Sequence, residues 1–232
     1  MSISTVAMPV NHAKHANVAS KLQFGLWSGL SNNITVEVLT NAGFDWPVLD
    51  TEHSPNELPM AHSQLQAIAR GKTYPVARPP WNDAVTIKRY RDVGVQTLPI
   101  PFVPDARQAA DAVAATRYPP LGVLVQIETP EAIANIEAIA AVEGVDGLFI
   151  GPGDLASSMG LVGQQTHPEV VAAIEGAVRR IIACGKPAGI LVGDEKLTRR
   201  YLEIGCTYVA AGSDIGIPAR GAEALAAKFK QG

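Results

Sequence analysis

In the stretch LVQIET (124–129), an apolar run gives way to Gln126 and Glu128, which alternation along a strand puts on one face. A carboxylate on the inner face of a buried strand is costly unless it is paired or holds a cation. A second acid, Asp154, follows the apolar run GLFIGPG. Two carboxylates brought together in a partly dry site share either a proton or a cation. With neither cysteines nor a set of histidines beside them, the ion that fits is hard, oxygen-ligated and roughly octahedral: Mg²⁺ or Mn²⁺, with Co²⁺ also admissible. The competing reading of Glu128 is a helix cap, because Thr129 before Pro130 is already a good N-cap followed by proline at N1. His53 in DTEHSP sits among acids and suits a general acid/base. Arg78 in VARPPWND, followed by two prolines, offers a fixed fork to a developing oxyanion, or else a salt bridge to a local acid. Gly151 and Gly153 in IGPGD allow close backbone approach, with the amides of Gly153 and Asp154 available to a carboxylate; a plain turn is the alternative. Trp27 and Leu191 lie late in apolar runs and join Arg78, Gln126, Gly153 and Asp154 as candidate substrate contacts.

The elements that must position these residues alternate along the chain. Strand-like runs occur at 24–30, 46–53, 74–79, 96–103, 123–129, 147–154, 187–193 and 208–214, and between them lie segments of helical period, several ending in glycine. Repeated β and α units imply a parallel sheet with right-handed crossovers, and eight of them close a (β/α)₈ TIM barrel, in which polar residues at the carboxyl ends of strands face the site. His53 then ends the second strand, Arg78 the third, Gln126 and Glu128 the fifth and Asp154 the sixth. An open doubly wound sheet is the rival fold, but no G-x-G-x-x-G opens a helix after the first strand. The 232 residues form one α/β domain, a barrel over 21–232 preceded by an N-terminal arm over 1–20.

Composition narrows the function classes. A net charge of −3 with scattered lysines and arginines lacks the footprint of a nucleic-acid binder. The two cysteines, Cys184 and Cys206, read as core thiols of a reducing compartment. The first twenty residues lack a basic region leading into an apolar block, and no uncharged run approaches the ~18 residues of a membrane span. A cytoplasmic, soluble protein with no membrane partner is expected.

A divalent ion, carboxylate-binding amides, an arginine and a histidine suit a reaction in which a chelated 2-oxo acid becomes an enolate, with carbon–carbon bond cleavage or formation as the outcome. The alternative aldolase chemistry needs a Schiff-base lysine inside the barrel, and only Lys196, after the seventh strand, keeps that option open. A phosphosugar isomerase using AAGSD (210–214) as a phosphate cradle, an acyl-CoA lyase and a metal–dicarboxylate binder without turnover are the rival functions.

The ordered set FGLWSGL, GFDWPVLDTEHSP, ARPPWND, DVGVQT, ATRYPP, LVQIET, VEGVDGLFIGPGDL and HPEV resembles the HpcH/HpaI family of metal-dependent, pyruvate-specific class II aldolases over nearly the whole chain after the arm. The resemblance implies cleavage of 4-hydroxy-2-oxo acids, such as 4-hydroxy-2-oxoheptanedioate, to pyruvate and an aldehyde. It implies Glu128 and Asp154 as metal ligands, Arg78 as enolate stabiliser, His53 as proton carrier beside a water at the ion, and Gln126 as a positioning group. It also assigns Asp92, in RDVG, to orient the histidine. A helix end faces the lower rim of a barrel, so Asp92 would serve the histidine of a neighbouring subunit. A homohexamer, a dimer of trimers exchanging C-terminal helices, is implied as well. Two departures stand out. Gly153 replaces the alanine usual in the family, which would enlarge the pocket over the pyruvate methyl, and the connection at 118–123 is short where relatives carry a longer, Gly- and Arg-containing excursion.

Overall fold

The computed structural model describes residues 11, 14–16, 19, 21–71, 73–117 and 121–230. The eight strands are β1 (Gln23–Ser28), β2 (Trp46–Asp50), β3 (Val76–Arg78), β4 (Thr97–Ile100), β5 (Gly122–Ile127), β6 (Gly147–Ile150), β7 (Ala188–Leu191) and β8 (Tyr208–Ser213). They pair in parallel, each with its sequence neighbours, and β8 closes onto β1. The helices are α1 (Asn33–Thr40), α2 (Leu58–Ile68), α3 (Ala84–Asp92), α4 (Ala106–Ala115), α5 (Pro130–Ala134), α6 (Ile136–Ala140), α7 (Pro152–Ser158), α8 (Pro168–Ala183), α9 (Glu195–Glu203) and α10 (Gly216–Lys230). The arrangement is the expected (β/α)₈ barrel.

Local chemistry sets the ends. Asn32, Asp83, Asp105, Thr129 and Asp194 accept backbone N–H groups at the starts of α1, α3, α4, α5 and α9, satisfying donors that a helix start leaves unpaired. Beyond five helices, Gly43, Gly94, Gly144, Gly185 and Gly205 turn the chain with φ between 73° and 108°, a region that glycine enters without steric cost. The segment of helical period between the fifth and sixth strands is two helices, α5 and α6. It breaks at Asn135, whose side chain leaves the helix to donate to the Pro104 carbonyl at 2.9 Å.

Two cores hold the barrel. The larger lies between strands and helices and is made of aliphatic side chains such as Leu49, Leu98, Ile127, Ile150 and Ile174, each contributing roughly 1.5–3 kcal/mol by its burial. The smaller fills the barrel with Trp27, Trp46, Val48, Val76, Leu124, Phe149, Tyr208 and Ala210. Trp46 stacks on Tyr208 with centroids 4.0 Å apart, and Phe149 meets Tyr208 edge-on at 6.2 Å. Gly25 makes this possible, since a β-carbon there would lie inside the Trp46 ring. The barrel is thus closed below by aromatic rings, and its open end is left to the polar residues of the mouth.

Of the predicted arm, only residues 11, 14–16 and 19 are described, and the rest lies outside the described residues. Asn11 donates to the Gln96 carbonyl at 2.5 Å, and Lys14 reaches the Leu121 carbonyl at 2.9 Å and Asp146 at 3.1 Å. Those three acceptors precede β4, β5 and β6, so this part of the arm lies under the amino-terminal rim. Cys206 is buried as expected, whereas Cys184, the C-cap of α8, is only half-buried. Among the described residues no helix is long and apolar enough to cross a membrane.

Candidate active site

One cavity of about 280 Å³ at the carboxyl end of the barrel is lined by Trp27, His53, Arg78, Gln126, Glu128, Gly153, Asp154 and Leu191. Every residue predicted for the site is there except Asp92. Three stand elsewhere on their elements than predicted. His53 lies in the turn beyond β2, which ends at Asp50; Glu128 follows the last residue of β5; and Asp154 is in the first turn of α7, not on β6. The reason is local. Asp50 accepts the backbone N–H groups of Glu52 at 3.0 Å and His53 at 3.4 Å, a tight turn that ends the strand, and Gly151 with Pro152 at the first helical position starts α7.

Arg78 ends β3 opposite Asp50, the last residue of β2. Its Nε and Nη2 donate to the two Asp50 carboxylate oxygens at 2.9 and 2.6 Å. Its Nη1 stands 2.6 Å from Glu52 Oε2, and its guanidinium carbon lies 4.9 Å from the centre of the Trp27 ring. The Trp27 indole N–H donates to Asp50 Oδ2 at 3.0 Å. Burial pushes the Asp50 carboxyl up, but the Arg78 hydrogen bonds and charge outweigh it and hold the group below its usual range. Burial works against the charge on Arg78 as well, yet Asp50, Glu52 and Glu128 raise its pKa. The salt bridge considered from sequence is therefore present, and it fixes the fork in place at the edge of the cavity.

Glu128 is 1% exposed. It accepts the backbone N–H of Phe102 at 3.2 Å and is held by the Gln126 side-chain amide, while its own carbonyl accepts the Ser158 hydroxyl at 3.1 Å. The cap of α5 is Thr129, whose hydroxyl oxygen accepts the Ala132 N–H at 3.0 Å, so the cap reading of Glu128 is set aside. Phe102 has φ of 50°, rare for a bulky residue, and its ring stacks on Trp81 at 5.4 Å. Burial, then the Glu52 carboxylate, and less strongly Asp154, push the Glu128 carboxyl up to about 8 against the Phe102 N–H and Arg78. Gly151 lies against this carboxylate: a β-carbon there would stand 2.8 Å from Glu128 Cγ. At Gly153, by contrast, a β-carbon would meet only Gln165 Nε2 at 3.4 Å, so a methyl group fits.

His53 Nε2 is 3.3 Å from Asp154 Oδ2 and 3.9 Å from Glu52 Oε2, and its side chain is 54% exposed. Burial raises the Glu52 carboxyl despite Arg78 and His53. Asp92 sits at the far end of α3, its side chain 62% exposed and held by Arg91 at 2.7 Å, and it borders none of this cavity.

A divalent ion can be tested against these groups. Among the described residues no three His, Cys, Asp or Glu side chains cluster to cage a metal. What the mouth offers is two carboxylates, Glu128 and Asp154, lining one cavity, with the buried Gln126 Oε1 lacking any hydrogen-bond donor. Oxygen donors short of positive charge, few in number and open to solvent on one side, suit Mg²⁺ or Mn²⁺, which keep waters and share ligands with the substrate.

Sequence reasoning misses Asp50 and Glu52. The strand-end rule applied to LDTEH could have found both, but the apolar run before them leaves His53 as the conspicuous group. Phe149, Gln165, Thr166, Asp194 and Tyr201 also line the cavity; Gln165 and Thr166 come from a loop whose path no local pattern reports.

The family profile described as HpcH/HpaI aldolase/citrate lyase matches residues 23–219. A protein of Rhizobium etli named pyruvate aldolase is 49% identical over 250 residues, covering 96% of this chain and 98% of that one. A Salmonella dublin protein named 4-hydroxy-2-oxo-heptane-1,7-dioate aldolase is 49% identical over 248 residues, covering 94% of each. Both alignments exceed the 232 residues of this chain, so these relatives carry internal residues that have no counterpart here. Among solved structures, a HpcH/HpaI aldolase/citrate lyase family protein from Burkholderia cenocepacia J2315 superposes with a TM-score of 0.91 at 30% identity, covering 95% of this chain and all of that one.

Proposed function

The chain belongs to the HpcH/HpaI aldolase/citrate lyase family, and from that premise we propose that it is a class II aldolase, a divalent-metal-dependent lyase that cleaves 4-hydroxy-2-oxo acids to pyruvate and an aldehyde, reversibly. The observation that carries the reading is the charge arrangement of one cavity, where the paired carboxylates Glu128 and Asp154 face the guanidinium of Arg78 with His53 beside them.

Glu128 and Asp154 would hold the ion, which supplies Lewis-acid charge where the 2-oxo acid binds. In cleavage the C4 hydroxyl loses its proton, the C3–C4 bond breaks, the aldehyde departs and the electron pair moves onto the C2 oxygen. Arg78, already fixed by Asp50 and Glu52, supplies an oriented positive charge for that oxygen at no cost in reorganisation. His53 takes the hydroxyl proton and returns one to C3. The N–H groups of Gly153 and Asp154, in the first turn of α7, have no partner within their helix and suit the substrate carboxylate. Gln126 orients Glu128, while Trp27 and Leu191 bound the apolar side of the cavity.

Asp92 is too remote to act on the histidine of its own chain, and we assign it to a neighbouring subunit's site in a homohexamer. Support for assembly comes from α10, which has no buried residue and exposes Ile217, Leu225 and Phe229.

The test is pyruvate release from 4-hydroxy-2-oxo acids, followed by lactate-dehydrogenase coupling. Activity is expected to vanish with EDTA and to return with Mg²⁺, Mn²⁺ or Co²⁺. Turnover that persists after exhaustive chelation would overturn the reading.

A further inference from the structure

Two hydrogen bonds fix the Glu128 carboxylate, one on each oxygen. The Gln126 side-chain amide donates to Oε1, and the backbone N–H of Phe102 donates to Oε2 at 3.2 Å. The last torsion of a glutamate is broad and roughly two-fold, so the plane of its carboxylate is set by such partners and not by its own rotamer. With one donor on each oxygen, lone pairs on both are left for an ion.

The Gln126 bond comes from β5, the strand that leads directly into Glu128. The Phe102 bond has a more demanding origin. Phe102 follows Pro101 in the turn between β4 and α4 and has φ of 50°, a conformation that phenylalanine avoids because its β-carbon crowds the backbone. Relaxed to a negative φ, the residue could not keep both its ring and its N–H where they are. The contact that opposes this is with Trp81, on which the Phe102 ring stacks with centroids 5.4 Å apart and planes 29° from parallel.

Trp81 is 54% exposed and is not among the residues lining the catalytic cavity. It is nonetheless fixed. Pro79 and Pro80 precede it, and the Asp83 N–H donates to its carbonyl at 2.9 Å. The Asn82 side chain donates to the Gln108 carbonyl of α4 at 3.2 Å, and Asp83 caps α3 through the Thr86 N–H at 2.8 Å. A surface indole anchored on two helices therefore backs a strained residue whose N–H ends on a buried carboxylate.

We propose that Trp81 is a positioning residue for the metal site: its indole holds Phe102 in the left-handed conformation, and the Phe102 N–H in turn holds the Glu128 carboxylate in the plane that receives the ion. The proposal rests on the reading of Glu128 as a metal ligand and adds to that site a side chain that touches neither ion nor substrate.

The experiment is calorimetric titration of the full chain with Mn²⁺ at one fixed pH, without substrate. Trp81→Ala should weaken binding by about tenfold or more, the range found for neighbours of metal ligands, while Trp81→Phe, which restores a stacking ring, should recover most of it. Phe102→Asn separates the two links, because asparagine enters the left-handed region readily and presents the same N–H without a ring. It should bind Mn²⁺ more tightly than Phe102→Ala, and adding Trp81→Ala to it should cost nothing further. Far-UV circular dichroism is expected to stay native in each variant. Unchanged Mn²⁺ affinity in Trp81→Ala would overturn the proposal, and so would an equal loss on Trp81→Ala whether or not residue 102 carries its ring. Absence of Mn²⁺ binding by the unmodified protein would instead remove the metal reading beneath it.

Discussion

At the scale of single residues, Glu128 is where the site's electrostatic tension collects. Its carboxyl is raised from 4.5 to about 8 by burial and by neighbouring carboxylates, so the free protein holds a proton there across the neutral range. A cation at the proposed metal site would have to displace that proton. Affinity for Mn²⁺ or Mg²⁺ should therefore rise by up to about tenfold per pH unit below pH 8 and level off above it; titration calorimetry between pH 6 and 9 checks this, and Glu128→Gln should abolish most of the binding. The sign for stability follows from the same shift. A carboxyl with a folded value above its unfolded one favours the metal-free fold at acid pH, and that contribution is lost as pH climbs from 4.5 through about 8. Gly151→Ala tests the packing around the same group. The added methyl must displace the Glu128 side chain, so metal affinity should fall by about 10–100-fold, as for other neighbours of metal ligands. Far-UV circular dichroism should stay native, which separates a moved ligand from a lost fold.

At the scale of elements, strand ends and helix caps convert sequence into site geometry. Thr129 stands next to Glu128 and fastens the start of α5. Thr129→Ala should cost about 1 kcal/mol in urea unfolding, with the midpoint shifted and the slope unchanged. Alternation along LVQIET makes Gln126 and Glu128 legible in the sequence itself, because an inward acid in an apolar run has few explanations. Arg78 is legible for the same reason. The exact seats of His53 and Asp154 are not, since each lies just past its strand, where a turn or a helix start decides direction and the two-residue period no longer applies. Asp50 is hidden by its own success: it ends an apolar strand, and its value is visible only once β2 lies beside β3 with Arg78 opposite. Nor does periodicity reveal the break at Asn135, because the apolar pattern runs on unchanged from α5 into α6 while a single side chain bonds to another loop.

At the scale of the whole molecule, the barrel separates a chemical rim from a structural one. Asp92 lies on the structural side at the end of α3, paired with Arg91. A role in catalysis then requires a second copy. Asp92→Asn and His53→Gln should each depress kcat strongly, and if the proposed assembly forms, co-expressing the two variants should regain roughly a quarter of wild-type activity, since random mixing rebuilds that share of intact pairs; no recovery would confine Asp92 to its own chain. The fold class was settled by sequence, because eight alternations of strand and helix can bury their apolar faces in few other ways. The aldolase class was legible through the ordered motifs that resemble the HpcH/HpaI family, whereas paired acids, an arginine and a histidine at strand ends by themselves left rival reactions open. Only the tertiary structure decided which acids hold the arginine, how glycines yield space to Trp46 and Glu128, and which residues line the cavity at the mouth. Those facts depend on side chains from distant elements meeting across the barrel mouth, and no local pattern in a chain records such a meeting.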